Sequence, residues 1–166
     1  MSFKSVDEIY NFDFQDAVIS KFKIGNEGIN IELESLIVEP ENSQNENYTK
    51  SYAATTTVRL VDGKILSGIK EGYKRYDANN KLIESVDDVY IDDEQIKLIM
   101  KSSNGAYLFA MDANPESEEG RFSYNISIEF PSQEEYDLTG GVIYEIKVSF
   151  SKAVFEWDKY MNKVQM

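Results

Sequence analysis

Strict alternation of apolar and polar residues is the feature that most constrains the fold of this chain, and it is clearest in two late segments. Because successive side chains of a β-strand point to opposite faces, such alternation predicts strands with one buried and one wet face. The apolar set of residues 121–130 and 142–150 comprises Phe122, Tyr124, Ile126, Ile128 and Phe130, then Val142, Tyr144, Ile146, Val148 and Phe150. Both segments are predicted to be strands of an antiparallel sheet.

Turn signals divide the rest of the chain into further short strands. Gly25-Asn26-Glu27-Gly28 predicts a hairpin between strands at 17–24 and 29–38, and Asp62-Gly63 predicts another between 52–61 and 64–69. Four more strands are predicted at 72–77, 82–86, 106–111 and 153–157, and residues 158–166 are expected to fray. Strands joined by short turns must pack as two sheets or close on themselves. We expect a single all-β domain over residues 1–166, an antiparallel β-sandwich or flattened β-barrel of about 8–10 strands.

Two segments depart from this pattern. Residues 92–103 fit either a short helix or a hairpin strand, and the acids Asp92, Asp93 and Glu94, placed to interact with a helix N-terminal dipole, favour the helix. Residues 39–50 are polar throughout and contain Pro40, which predicts a mobile loop.

The sequence contains no histidine and no cysteine, which excludes most familiar catalytic and metal sites. Serine and cysteine catalytic triads and histidine–zinc sites all need an imidazole, and zinc fingers, iron–sulfur clusters and thiol redox chemistry need thiolates. Nor does any glycine-rich phosphate-binding loop occur. We therefore expect a protein that is not an enzyme and holds no cofactor.

An acidic excess indicates what kind of partner the protein can have. Thirty acidic residues against 17 basic ones give a formal net charge of −13, which repels nucleic acids and anionic membranes and attracts a basic surface. The N-terminal residues carry acids and no apolar stretch, so a signal peptide is not expected, and no segment has the length of a membrane span. The absence of cysteine fits a reducing compartment, and we expect a cytoplasmic protein.

Carboxylates offer the remaining candidates for chemistry. Acids and amides cluster around Asp77, Asp87–Asp93 and the loop at 112–120, but the EF-hand spacing fails because Leu82 stands where glycine is required, so no metal site is expected. A glycan hydrolase would need two converging carboxylates, for which Glu32, Glu34, Glu145 and Glu156 are candidates in predicted strands. Most of them fall on the polar face, where a solvated sheet surface explains them.

Aromatic residues make up 13% of the chain, and one late group is the candidate partner-binding site. Phe155 and Trp157 share one face of the last predicted strand, and Tyr160 follows them. Such a set either closes the core or forms an exposed patch for a partner. Three functions thus stay open: a non-catalytic interaction protein for a basic protein partner, a barrel that binds a small apolar ligand, and a carboxylate-based glycan hydrolase. The first is favoured.

Overall fold

The structure, a computed structural model, describes residues 2–115, 117–131 and 141–163. Within those residues the chain forms strands, one α-helix and a 3-10 turn at Ile9–Asn11. The strands are β1 (Phe3–Val6), β2 (Phe12–Asp13), β3 (Val18–Gly25), β4 (Gly28–Glu34), β5 (Ile37–Val38), β6 (Ser51–Ala53), β7 (Thr56–Val61), β8 (Lys64–Lys70), β9 (Tyr73–Tyr76), β10 (Leu82–Val86), β11 (Val89–Ile91), β12 (Tyr107–Ala113), β13 (Phe122–Phe130), β14 (Val142–Phe150), β15 (Lys152–Trp157) and β16 (Tyr160–Lys163). The helix α1 spans Asp93–Lys101.

Ten of the strands form one large antiparallel sheet in the order β1-β15-β7-β4-β3-β12-β13-β14-β8-β11. Four short strands form a second sheet in the order β16-β6-β5-β2, and β9 and β10 form a separate two-stranded arm. The outer strands of the large sheet, β1 and β11, do not pair with each other among the described residues, so the sheet is open. The all-β sandwich prediction is confirmed, whereas the flattened-barrel alternative is wrong.

Short strands account for the difference from the predicted strand number. The segment predicted as one strand at 52–61 is divided between β6 and β7, which lie in different sheets, because the chain bends at Ala54 and Thr55. The residues expected to fray contain β16, which pairs with β6 through Tyr160 and Ala53. Alternation cannot reveal strands of two to four residues, since so few positions carry no period.

One face of the long strands forms the core, as the alternation predicted. Ile126 lies opposite Ile146 across the β13–β14 pair, and both are fully buried. The first residue of each strand is more exposed, Phe122 at 41% and Val142 at 39%, whereas Phe150 at the end of β14 is buried. The alternation therefore identified the inward face correctly but placed the first residue of each strand in the core.

Residues 92–103 form the helix rather than a hairpin strand. Asp92 caps α1: its side chain accepts a hydrogen bond from the Gln95 amide at 2.8 Å, while the Gln95 side chain accepts one from the Asp92 amide at 3.0 Å. Ile96 and Met100 are buried, and the helix packs against β3 and β8. The reciprocal cap and the apolar spacing explain why the helix is preferred. No helix in the described part of the chain has the length and apolar character needed to span a bilayer.

The polar loop at 39–50, for which the sequence predicts mobility, makes hydrogen bonds within itself and to the N-terminal segment. The Asn45 side-chain amide donates to the carbonyls of Val38, Glu39 and Thr49 at 2.9–3.1 Å. The Glu8 carboxylate accepts hydrogen bonds from the backbone and side chain of Ser43. Polar composition alone could not distinguish a solvated loop from one whose amides satisfy its own backbone.

The large sheet is weakest at the junction of β3 and β12, and this junction positions the candidate site. The two strands pair only at Tyr107 and Val18. Each strand has a register shift near this point, in β3 between Ile19 and Lys21 and in β12 between Leu108 and Ala110. Because an extra residue bends and twists a strand, the two strands diverge and leave one edge of each without a strand partner among the described residues.

Candidate functional site

The predicted partner-binding residues lie mainly inside the protein. Phe155 is fully buried and Trp157 is 2% exposed. The Phe155 ring stacks on Phe12 with centroids 4.2 Å apart, and the Trp157 ring stacks on Phe3 at 5.7 Å. Neither side chain therefore offers a surface to a partner in this fold, and the core interpretation of this pair is the one that the structure supports.

Tyr160, the third predicted residue, lies at the edge of the same aromatic cluster and is only partly buried. Its hydroxyl donates to the backbone carbonyl of Gln44 at 2.7 Å, which links the end of the chain to the polar loop. Burial raises the pKa of Tyr160 to about 12, so the hydroxyl stays protonated and keeps donating at physiological pH. This role is structural.

The acids considered for metal binding have local structural roles. Asp77 accepts hydrogen bonds from the amides of Asn79 and Lys81 within a turn, and Asp88 accepts one from the Gly72 amide. Asp92 caps the helix. No group of three acids among the described residues is arranged to hold a metal ion.

The candidate hydrolase carboxylates are distributed over the sheet surface. Glu34 accepts hydrogen bonds from the Thr55 hydroxyl and Glu32 from the Ser20 hydroxyl. Glu145 has another carboxylate nearby, Glu71, whose pKa is raised by burial and then by the charge of Glu145. Neither Glu71 nor Glu145 lines the groove formed by residues 109–113 or the groove between residues 22–28 and α1.

A groove of about 450 Å³ lies along the open edge of β12. Five consecutive residues of β12, 109–113, line it. Because neighbouring side chains of a strand point to opposite faces, consecutive residues can line one groove only if it follows the strand edge. The opposite wall includes Tyr10, Phe12 and Asp13, and β2, which contains Phe12, is the terminal strand of the four-stranded sheet.

The hydrogen-bonding phase of β12 indicates which backbone groups face this groove. The Asn114 amide donates to the Ser123 carbonyl, and Asp112 lies opposite Asn125 in β13. Hydrogen-bonded pairs of an antiparallel ladder recur at every second residue, so the backbone of Asp112, like that of Asn114, bonds to β13. The N–H and C=O groups of the intervening residues, Met111 and Ala113, therefore point away from β13, toward the groove. These groups have no strand partner among the described residues.

Acidic and aromatic side chains surround this unpaired edge. Asp13, Glu39 and Asp112 line the groove. The Lys50 ammonium lies 3.2 Å from the Asp13 carboxylate and 3.4 Å from that of Glu39, so three carboxylates against one ammonium leave two negative charges uncompensated.

Five aromatic residues line the groove; Phe12 and Phe14 are buried, and the other three have accessible surface. Tyr10 is 74% exposed and Phe109 37%, and Tyr124 is partly buried. Burial raises the pKa of Tyr124, and the charge of Asp7 adds to this, so its hydroxyl stays neutral. The groove thus presents neutral aromatic faces beside uncompensated carboxylates.

Sequence reasoning did not find this site, since its parts come from four separate segments: residues 9–14, Glu39, residues 109–113 and Tyr124. The predicted strand at 106–111 ended before Asp112, and the bulge at Phe109 leaves no mark in the alternation. In comparisons with known proteins, no family model matches the chain, and no curated protein or solved structure matches it either.

Proposed function

We propose that the protein is a non-catalytic interaction protein that holds an extended, basic segment of a partner protein along the β12 edge. The observation that carries the proposal is the row of five consecutive β12 residues, 109–113, which line a groove along a strand edge that no described strand pairs with. An extended peptide can add a strand to such an edge, so that main-chain hydrogen bonds supply affinity and side-chain pockets supply specificity.

The energetics of strand addition are adequate for a modest affinity. The N–H and C=O groups of Met111 and Ala113 offer four hydrogen bonds, each worth about 0.5–1.5 kcal/mol net. Arginine or lysine side chains of the partner would meet the carboxylates of the groove and the faces of its exposed rings, and a cation–π contact adds about 0.5–1 kcal/mol. After the cost of ordering the peptide, a short segment should bind with a dissociation constant on the order of 100 μM.

The charge of the whole chain favours the same kind of partner. At −13 it attracts a basic protein at long range and speeds the encounter, and it disfavours nucleic acids. The lack of histidine and cysteine supports a role without catalysis or a cofactor, and the lack of cysteine also supports a cytoplasmic location.

Among the described residues, the alternative functions lack a comparable site. The β12 groove and a second groove, lined by residues 22–25 of β3, are open at the surface, whereas a barrel for an apolar ligand would enclose its chamber. A glycan hydrolase needs a carboxylate pair facing a cleft, and Glu71 with Glu145 faces neither groove.

The proposal is tested by titrating the full chain with a fluorescent hexapeptide of alternating lysine and valine. Asp112→Lys replaces a groove carboxylate with an ammonium group and should weaken binding about tenfold, because attraction of the peptide's lysines is replaced by repulsion. Ala113→Pro deletes an edge N–H without changing charge, and should weaken binding several-fold. Glu94→Lys on the exposed side of α1 changes the net charge as Asp112→Lys does and is the matched control.

Equal weakening by Asp112→Lys and Glu94→Lys would show that the peptide senses only the overall charge. Binding that ignores Ala113→Pro would show that the edge is not used. Either result would overturn the proposal.

A further inference from the structure

The second open edge at the junction, that of β3, lies in a groove of opposite charge. This groove has a volume of about 590 Å³ and lies between the tip of the β3–β4 hairpin and α1. Residues 22–25 of β3 line it consecutively, which again places a strand edge along the groove. The β12 groove does not share any of these lining residues.

The hairpin geometry indicates which β3 groups face the groove. Gly25 pairs with Gly28 around the two-residue loop, and Lys23 pairs with Asn30. A two-residue loop is closed by a bonded pair, so Gly25 and Lys23 bond to β4 and the backbone groups of Phe22 and Ile24 point away from it. Beyond Val18 no described strand pairs with this edge.

Three lysines line the groove, in contrast to the acidic character of the chain. Lys97 and Lys101 are one turn apart on α1, and Lys23 lies on β3. All three are exposed, and none forms an ion pair with a residue that the structure describes. Glu27 is the one acid among the described residues of the lining, so the lining carries a net positive charge.

Local charge decides what this groove attracts. At physiological ionic strength the screening length is about 8 Å, so a bound segment experiences the charges of the lining, three lysines and Glu27, far more than distant acids of the chain. Asp93 and Glu94, one turn before Lys97 on α1, lie outside the lining. Ile24 is partly buried and gives the groove apolar surface, which accommodates the apolar side chains of an alternating segment, while Phe22 and Met100 lie buried beneath it.

We propose that the lysine groove is a second docking site, which binds an extended acidic segment of a protein by strand addition to β3. This goes beyond the proposed function, because it needs neither the β12 groove nor a basic partner. The protein would then present two strand edges that select partners of opposite charge, one on each side of the Val18–Tyr107 pair.

The experiment uses the full chain and a fluorescent hexapeptide of alternating glutamate and valine. We expect saturable binding that is about tenfold weaker in the double variant Lys97→Glu/Lys101→Glu and unchanged in Lys64→Glu/Lys152→Glu. The control pair consists of exposed lysines outside the groove and changes the net charge equally. Thermal unfolding of each variant verifies that the fold is intact.

Two further arms define the binding mode. A probe with an N-methyl group on every backbone nitrogen keeps its side-chain charge but has no N–H to donate on either edge, so it cannot pair with a strand and its binding should be lost. Retained binding of that probe, or equal effects of the two double variants, would overturn the proposal. So would dodecanoate displacing the peptide at a lower concentration than unlabelled peptide does, because the groove would then be a site for anionic amphiphiles.

The two proposed docking sites can be tested separately. Asp112→Lys should leave the glutamate–valine peptide bound, and Lys97→Glu/Lys101→Glu should leave the lysine–valine peptide bound. Loss of one interaction therefore disproves one proposal without affecting the other.

Discussion

Replacing Asn45 with alanine tests whether a single amide holds the polar loop in place. The side-chain nitrogen donates to three backbone carbonyls, of Val38, Glu39 and Thr49, and the side-chain oxygen accepts from the Asn47 amide at 2.8 Å. An NH2 group has two hydrogens, so the three donated contacts count as two hydrogen bonds, and the acceptor makes a third. At about 1 kcal/mol each, and with carbonyls left buried, the variant should lose about 3 kcal/mol of unfolding free energy.

Urea denaturation followed by circular dichroism measures this loss, and thermal unfolding should show a midpoint lower by about 6–12 °C. Asn30→Ala, at an exposed position of β4, is the matched control and should change stability by less than about 0.5 kcal/mol. Because the loop carries Glu39 and Lys50, the Asn45 variant should also bind the lysine–valine peptide less well. A loss below about 1 kcal/mol would refute the reasoning, since water would then satisfy the carbonyls equally well.

Ile146→Asp should unfold the protein, because Ile146 is fully buried opposite Ile126 and a carboxylate there has no partner; a folded variant by circular dichroism would show that the register of β14 is wrong. Glu8 predicts a pH dependence: burial raises its pKa, but hydrogen bonds from Ser5 and Ser43 outweigh this and hold the pKa below its usual value. The stabilisation is therefore present above the pKa of the unfolded chain and is lost as the pH falls through the lower folded value. Glu8→Gln should make the dependence of unfolding free energy on pH shallower as the pH falls below the ordinary glutamate pKa of about 4.3, and an unchanged dependence would contradict this role.

Where the physics is local, the sequence was informative. The period of two in residues 121–130 and 142–150 predicted β13 and β14 almost to the residue, because burial of one face imposes the period directly. Asp92 predicted the start of α1, since a cap acts over three residues.

Where segments far apart in sequence meet, the sequence carried no comparable signal. Phe155 and Trp157 are equally suited to a core and to an exposed patch, and only the arrival of Phe12 and Phe3 from the N-terminal segment decides between them. Both candidate grooves depend on the single Val18–Tyr107 pair and on the extra residue that each strand carries beside it. These extra residues do not change the composition of the strands, so the sequence pattern did not reveal them.

We infer that the bulge at Phe109 turns β12 away from β3 and so forms the β12 groove, and removing the bulge tests this inference directly. Deleting Phe109 would bring Leu108 and Ala110 into continuous register with Ile128 and Ser127 of β13, so β12 would lose the added bend that turns it from β3. The groove should then narrow, and binding of the lysine–valine peptide should fall more than about tenfold.

Phe109→Ala is the control, because it removes the ring and keeps the bulge. It should weaken binding only about threefold, the cost of one aromatic contact. Titration of both variants with the lysine–valine peptide compares their dissociation constants, and thermal unfolding shows that each variant is folded. If the deletion binds as well as Phe109→Ala does, the divergence of β12 from β3 arises from packing against the segment at 9–14, and the bulge only accompanies it.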